Sequence, residues 1–100
     1  MSTDPLFRMT VADVFSIRGR GTIVTGQVES GTLNIGDEIY ITHPGYSKKA
    51  VVTGIEAFRK LLQQANAGDN VGVLLRDISK TDVQQNDVLV GSDIDFSWKP

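Results

Sequence analysis

Cysteine is absent from this 100-residue sequence, and histidine occurs only once. The first absence excludes disulfides, thiolate metal ligands and thiol nucleophiles. A single histidine, His43, leaves little material for a Ser-His-Asp triad or a histidine-based metal site. We therefore expect no catalytic residue, no metal site and no cofactor. His43 precedes a Pro-Gly turn and is interpreted as a loop residue.

Long apolar runs and excess positive charge are also missing. No run approaches the roughly 18 apolar residues of a membrane span, and residues 1–5 have neither the basic start nor the apolar core of a signal peptide. A cytoplasmic protein with no membrane partner is the resulting expectation. Ten basic residues against twelve acidic ones give a net charge of −2. Counterion release needs many basic groups on one surface. Any nucleic-acid contact must therefore be a local one that depends on the shape of the site and not on overall charge.

The residues that are present are typical of one soluble globular unit. Hydrophobic residues make up 40% of the chain and charged residues 22%. No internal repeat, low-complexity run or linker is visible, so we expect a single domain over residues 1–100, with a core at about 5–91. The tail, residues 92–100, carries Phe96 and Trp98 without a clear period.

Short stretches rich in Val and Ile, separated by glycine-bearing breaks, predict β-strands. Their regular spacing favours an all-β fold, either a small barrel or a sandwich. The six predicted strands are residues 8–17, 22–29, 38–42, 49–58, 70–77 and 88–91. In the fourth, strict alternation places Val51, Thr53, Ile55 and Ala57 on one face and Val52, Gly54, Glu56 and Phe58 on the other. Apolar groups on both faces are typical of a strand covered on both sides over part of its length, as in a closed barrel.

Four segments carry a family resemblance. Residues 15–26 read FSIRGRGTIVTG, residues 31–38 read GTLNIGDE, residues 52–60 read VTGIEAFRK, and residues 67–76 read AGDNVGVLLR. In this order, and over about residues 5–90, the chain resembles the second, barrel-forming domain of translation elongation factor Tu. The resemblance implies the small six-stranded antiparallel closed β-barrel shared by translational GTPases.

Residues 58–65 leave two alternatives open. Phe58, Leu61, Leu62 and Ala65 recur at helical spacing among good helix formers, which favours a two-turn helix. The family resemblance instead favours an extended segment that ends in a turn.

The guanine-nucleotide chemistry of the family needs a separate domain with a phosphate loop. This sequence contains no G-x-x-x-x-G-K-[ST] motif, so we expect no nucleotide site in the chain and no nucleotide hydrolysis. The glycines of residues 18–21 are interpreted as part of a hairpin turn.

The resemblance also implies a contact with the aminoacylated acceptor end of tRNA, whose terminal adenine lies in an apolar slot beside the esterified amino acid. The positions that match the adenine slot are Ile17, Gly19, Ile23, Glu56 and Leu74. Those that match the aminoacyl side are Asp13, Phe15, Phe58, Arg59 and Asn70. In this assignment Glu56 lies beside the base, Arg59 faces the ester and Asp13 faces the α-amino group. Apolar groups with one polar partner are suited to a single-stranded RNA end.

One position departs from the family pattern. The family usually has an acidic residue immediately before the aspartate of the opening strand, and here that position is Ala12. A polar contact on the aminoacyl side is lost as a result.

Structural alternatives exist for most of these residues. Ile17, Ile23 and Leu74 would serve a barrel core, and Gly19 would serve a turn. Arg59 and Lys60 would simply be solvent-exposed residues at an edge of the domain. Glu56 is different, because an acid within an apolar strand must reach solvent, a partner or a ligand.

Two functional hypotheses follow. The first is a non-catalytic translation-factor module that contacts the aminoacyl-tRNA acceptor end or the ribosome, weakly because the other domains that clamp tRNA are missing. The second is a protein-interaction or regulatory module that keeps the barrel without RNA binding, with the tail aromatics as an anchor for a separate protein partner.

Overall fold

The structure is a computed structural model, and it describes residues 6–19 and 21–91. All regular elements in these two ranges are strands, and none of the residues described forms an apolar helix of membrane-spanning length. The predicted tail at 92–100 lies outside the described residues. The strands are β1 (Arg8–Thr10), β2 (Asp13–Ile17), β3 (Gly21–Ser30), β4 (Thr32–Asn34), β5 (Glu38–His43), β6 (Tyr46–Ala57), β7 (Lys60–Leu62), β8 (Gln64–Asn66), β9 (Asn70–Leu75) and β10 (Val88–Gly91).

Six strands close into a ring. Their order is β1, β10, β5, β6, β9 and β3, and β3 pairs again with β1; every pairing is antiparallel. β2 continues the sheet beyond β3, β7 pairs with β6, and β4 and β8 form a separate pair. The predicted six-stranded antiparallel closed β-barrel is confirmed, and the sandwich alternative is excluded.

The first predicted strand and residues 58–65 show where the sequence was harder to interpret. Residues 8–17 form two strands, β1 and β2, because Val11 and Ala12 between them are not part of either strand. The helix considered for residues 58–65 is wrong, and the extended alternative is confirmed as β7 and β8. The physical reason is tertiary pairing, since Leu62 lies opposite Ile55 and the fully buried Ala65 lies opposite Leu33. These contacts outweigh helix propensity.

The core fills the inside of the ring with side chains from alternate strand positions. Each fully buried aliphatic side chain contributes about 1.5–3 kcal/mol through loss of water contact. The largest side chains below 2% exposure are Met9, Leu33, Ile39, Ile41, Ile55, Leu75 and Leu89.

Closure of the ring depends on Gly26 in β3. A Cβ atom at this position would overlap the Thr10 carbonyl oxygen and would lie 3.3 Å from Cγ of Met9. β1 therefore approaches β3 more closely than any side chain at Gly26 would allow.

A β-bulge in β6 accommodates one additional residue within the strand. Val52 lies opposite Leu75 and Gly54 lies opposite Leu74, so Thr53 is an extra residue on β6. Val52 and Ile55 are consequently both buried in the core. The strict alternation predicted for residues 51–58 is wrong, because the bulge shifts the two-residue period by one position. Beyond the bulge, Glu56 lies opposite Gly72 on the outside of the barrel.

Four turns share one hydrogen-bonding pattern. In each, an aspartate carboxylate accepts the backbone N–H of the residue three positions earlier, while the aspartate N–H donates to that residue's carbonyl. Such local pairing satisfies backbone groups at sharp reversals without help from other strands. The aspartates are Asp37, Asp69, Asp82 and Asp87.

Candidate functional site

One outer face of the barrel collects most of the predicted site residues. It consists of the outward-facing positions of β2, β3, β9, β6 and β7, and we call it the outer face. One row across these strands runs from Phe15 to Ile23, Leu74 and Gly54. Because adjacent strands lie about 4.8 Å apart, this row forms a continuous apolar strip with a glycine at one end.

The next row along the strands is more polar. It runs from Asp13 to Thr25, Gly72, Glu56 and Leu61. Gly72 has no side chain, so the sheet is bare between Thr25 and Glu56. The outer face therefore has a depression at Gly72, and the Glu56 carboxylate forms one wall of it.

A pocket of about 180 Å³, the Leu74 pocket, lies on one side of Glu56. Five of its nine lining residues are Ile or Leu, Gly54 contributes no side chain, and Glu56 is the charged residue. A concave apolar site with few polar groups is the usual form of a small-ligand site. The lining residues are Ile35, Thr53, Gly54, Ile55, Glu56, Leu61, Leu62, Gln63 and Leu74.

A second pocket, the Phe58 pocket, lies on the other side of Glu56 and has a volume of about 340 Å³. It is shallower and is lined largely by small residues. Its polar side chains are those of Thr25, Glu56 and Asn70. The full lining is Ala12, Thr25, Gly26, Glu56, Ala57, Phe58, Asn70, Val71 and Gly72.

Glu56 is shared by the two pockets. Its side chain is half-buried, and within residues 6–19 and 21–91 no hydrogen bond or ion pair to its carboxylate is present. An ionised carboxylate is an acceptor with two oxygens. Glu56 is thus placed to accept hydrogen bonds from a ligand that enters either pocket.

The turn between β6 and β7 has an unusual backbone. Phe58 and Arg59, its two central residues, have φ angles of 51° and 67°, as in a type I′ hairpin turn. Asn and Gly normally occupy these positions, and a bulky residue there is strained. The Phe58 side chain is 90% exposed, so no packing within the described residues compensates for the strain.

The adenine-slot residues are only partly brought together. Glu56 and Leu74 line the Leu74 pocket, whereas Ile17 and Ile23 lie on the outer face without lining it. Ile17, Ile23 and Leu74 are half-buried and stand outside the core cluster, so the core interpretation is wrong for them. Gly19 lies in the turn between β2 and β3 with a φ of 77°, which confirms its turn role.

The aminoacyl-side residues divide in the same way. Phe58 and Asn70 line the Phe58 pocket together with Ala12. Phe15 is half-exposed beside Ile23, and Arg59 is exposed at the tip of the β6–β7 hairpin. Asp13 does not line this pocket.

Asp13 is engaged elsewhere. Its Oδ1 atom accepts a hydrogen bond of 3.3 Å from Nε2 of Gln85. The binding role of all ten site residues stays a prediction.

A polar cluster at the β5–β6 hairpin was not found from the sequence. His43 is the last residue of β5, not a loop residue, so that interpretation is wrong. Its Nδ1 atom lies 2.9 Å from Oδ1 of Asp87, and its ring stacks on Tyr46 at a centroid distance of 4.4 Å. Asp87 is 2% exposed. His43 and Asp87 are 44 positions apart in the chain, and no local sequence pattern indicates their pairing.

The cluster joins the hairpin to the loop between β9 and β10. Tyr46 adds a hydrogen bond of 2.8 Å from its hydroxyl to the Asp82 carbonyl. A cleft of about 250 Å³ lies between these groups. Among the described residues, no group of three or more His, Asp or Glu side chains is arranged to hold a metal ion.

Comparison with known families agrees with the fold and with the motifs. The family model described as elongation factor Tu domain 2 matches residues 21–90 of the 100-residue chain. The matched range contains Ile23, Glu56 and Leu74 of the predicted slot, while Ile17 and Gly19 precede it. The match confirms the resemblance found in the sequence. This chain belongs to the elongation factor Tu domain 2 family.

Proposed function

We propose that this domain is a non-catalytic cytoplasmic module that contacts the acceptor end of aminoacyl-tRNA, either in solution or on the ribosome. The single observation that carries the proposal is the position of Glu56. This carboxylate, which has no hydrogen-bond or ion-pair partner among residues 6–19 and 21–91, stands between two pockets on the outer face of the barrel.

The Leu74 pocket has the chemistry for the terminal nucleobase. Leu74 and Leu61 provide apolar surface above the Gly54 backbone, on which a flat base can stack. Stacking of one base on protein side chains contributes about 1–3 kcal/mol. Glu56 accepts hydrogen bonds from a base amino group or from the ribose 2′-OH, which distinguishes RNA from DNA.

The Phe58 pocket suits the group esterified to the RNA. It adjoins the first pocket at Glu56 and offers the Asn70 side chain as a polar contact. Phe58 supplies an aromatic wall at the open end. The adjacent arrangement of the two pockets matches a nucleotide that carries an acyl group on its ribose.

Binding by this domain alone is weak. The chain has a net charge of −2, so it gains little from phosphate neutralisation. Arg59 and Lys60 are exposed basic residues that directly follow Phe58 in the β6–β7 hairpin. Dissociation constants near the millimolar range are expected.

The test is a titration of isotopically labelled protein with a short RNA hairpin that ends in a single-stranded CCA, acylated or deacylated, followed by NMR. Shifts should concentrate at residues lining the two pockets, and Glu56→Gln should weaken binding about tenfold or more. Glu38→Gln is the matched control, because Glu38 is exposed on β5 and pairs only with Lys49 at 3.7 Å among the described residues. No shift at millimolar protein, or equal loss in both variants, would refute the proposal.

A second function, binding of a protein partner, is favoured by one observation. Phe58 and Leu61 are 90% and 81% exposed, and Ile35, 40% exposed, lines the Leu74 pocket together with Leu61. Neighbouring exposed apolar side chains are typical of interaction sites. If the double variant Phe58→Ser, Leu61→Ser retains full RNA binding but loses a protein partner, this second function replaces the first.

A further inference from the structure

We propose that this domain forms a weak two-fold symmetric dimer in which β2 of one copy pairs antiparallel with β2 of a second copy. The surface that makes the contact is the outer edge of β2. The dimer does not depend on the proposed function, because it uses the edge of the sheet and neither of the two pockets.

β2 is an edge strand with one unpaired side. It is the last strand of its sheet, and in the described part of the chain it pairs with β3 alone. Outside that pairing, no backbone–backbone hydrogen bond involves residues 14–17 within the ranges 6–19 and 21–91. An open edge presents a row of N–H and C=O groups to which another strand can bond.

Most of this edge lacks the features that usually keep sheet edges apart. Native proteins protect open edges with lysine, proline, bulges or a covering loop. Residues 14–17 read VFSI, without charge or proline, and the five residues of β2 pair one to one with β3. The loop before β10 is bonded to the start of the strand, where Nε2 of Gln85 donates to the Ala12 carbonyl at 2.9 Å and to Oδ1 of Asp13 at 3.3 Å. The remaining four positions are open to another strand.

One register pairs the whole strand with its own copy. Antiparallel pairing of two identical five-residue strands places the middle residue, Phe15, on the two-fold axis opposite Phe15 of the second copy. Residues directly opposite each other have Cβ atoms about 4.5–5.5 Å apart, and aromatic pairs at this distance stabilise a sheet. Phe15 is 51% exposed in the single chain, so it still has surface to bury.

The same register joins the apolar strips of the two copies. Phe15 begins the row that continues through Ile23 and Leu74. Directly opposite side chains lie on one face of a sheet, so the two rows would meet end to end at the axis. The strands β2, β3, β9, β6 and β7 of both copies would then form one ten-stranded sheet with a continuous outer face.

Charges at the two ends of the pairing are complementary. Ile17 would lie opposite Asp13 of the second copy, and Arg18 follows Ile17 directly. Each end therefore brings one basic and one acidic residue near each other. Exposed pairs of this kind add little affinity, but they favour this register over one that brings like charges together.

The dimer is weak because the contact is small. Five residues of each copy form it, whereas a standard interface has roughly 20–30 residues on each side. We expect a dissociation constant of about 0.1–1 mM.

The experiment is sedimentation equilibrium of the full chain at concentrations from about 0.01 to 2 mM. Phe15→Lys and Phe15→Glu each place like charges on the two-fold axis, and each should weaken the dimer about tenfold or more. An equimolar mixture of the two variants places opposite charges there and should recover association.

Leu6→Lys is the matched control. Leu6 is also 51% exposed but precedes β1, so its replacement should leave the dissociation constant of the dimer unchanged. Urea unfolding checks that each variant is folded. Phe15→Thr takes the place of a charged variant that fails to fold, and it should weaken the dimer about threefold through loss of the aromatic pair.

Three results would overturn the inference: a wild-type chain that stays monomeric at about 2 mM, a dimer that persists in the Phe15 variants, or a mixture of the charged variants that does not associate. Loss of the dimer in Phe58→Lys but not in Phe15→Lys would assign the contact to the β6–β7 hairpin and would also overturn it. These measurements contain no RNA, so none of these results bears on the proposed function.

Discussion

Glu56 on β6 and Gly72 on β9 are directly opposite each other, so the carboxylate has bare backbone as its neighbour on that strand. Gly54 has the same relationship to Leu74 one row away. Two glycines on the outer face thus keep the sheet surface open beside Glu56 and Leu74, which both line the Leu74 pocket. The pockets depend on missing side chains as much as on the residues present.

Gly54→Ala tests this directly. The new Cβ would lie 3.5 Å from Cβ of Leu74, an ordinary contact, so the fold should accept it. We expect an unchanged free energy of unfolding or a gain of about 0.4–1 kcal/mol, because alanine restricts the unfolded chain. RNA-end binding should weaken by about 1 kcal/mol, roughly fivefold, since the methyl group fills the pocket floor. Urea unfolding and NMR titration measure the two effects; intact affinity would show that the nucleobase does not enter here.

The strained turn at Phe58 and Arg59 predicts a conflict between stability and binding. The double variant Phe58→Asn, Arg59→Gly introduces the residues that a type I′ turn prefers. We expect stability to rise by about 1–2 kcal/mol as strain is relieved, while affinity for the acylated RNA end falls. Leu61→Thr is a useful comparison, because it removes apolar surface from the same hairpin without altering the turn. A double variant less stable than the wild type would contradict the strain argument.

Barrel closure at Gly26 predicts a large structural effect. Gly26→Ala places a methyl group against the Thr10 carbonyl and the Met9 side chain, where β1 meets β3. The chain must separate these strands, and we expect a loss of about 2 kcal/mol or more in the free energy of unfolding. Gly54→Ala serves as the control for a glycine replacement in a strand with room for the methyl group. Equal urea midpoints for the two variants would argue against close approach at Gly26.

Acid sensitivity should arise at Asp82 and Glu29. The Ser79 backbone N–H, aided by the Lys48 ammonium, lowers the pKa of Asp82. The Thr10 hydroxyl, followed by Arg8, lowers the pKa of the more exposed Glu29. A carboxyl group whose pKa is lower in the folded state stabilises the fold above its unfolded pKa. That contribution is lost as the pH falls through the folded pKa, which for both groups lies below the ordinary value of the carboxyl.

Asp82→Asn isolates this effect, because the amide oxygen still accepts the Ser79 N–H but does not titrate. The stability difference between wild type and variant should be larger at pH 7 than at pH 3, as measured by urea unfolding at both values. A difference that grows on acidification would reverse the sign of the argument.

Much of the fold was accessible from the sequence because glycine-punctuated, β-branched stretches predict strands directly. Five of the six predicted strands appear with small boundary changes, and the family motifs supplied the closed topology. The pattern at residues 58–65 was ambiguous because propensity is local, whereas the pairing of Ala65 with Leu33 joins segments far apart in the chain.

The candidate site was harder to predict for the same reason. Motifs placed Glu56 and Leu74 together. They did not reveal that the Gln85 side chain donates a hydrogen bond to Asp13, 72 positions away in the chain. The pairing of His43 with Asp87 was equally invisible. Both contacts depend on where the loop before β10 packs against the barrel. No period or motif in the sequence of that loop indicates this position.

The extra residue at Thr53 affects the shape of β6 and not the facing of its side chains. Deleting Thr53 would place Gly54 directly after Val52, so the pairing with β9 would be kept, Ile55 would stay inside and Glu56 would stay outside. What the deletion would remove is the bend and the added twist that a bulge gives to β6, so the curvature of the recognition surface would change while its residues stayed in place.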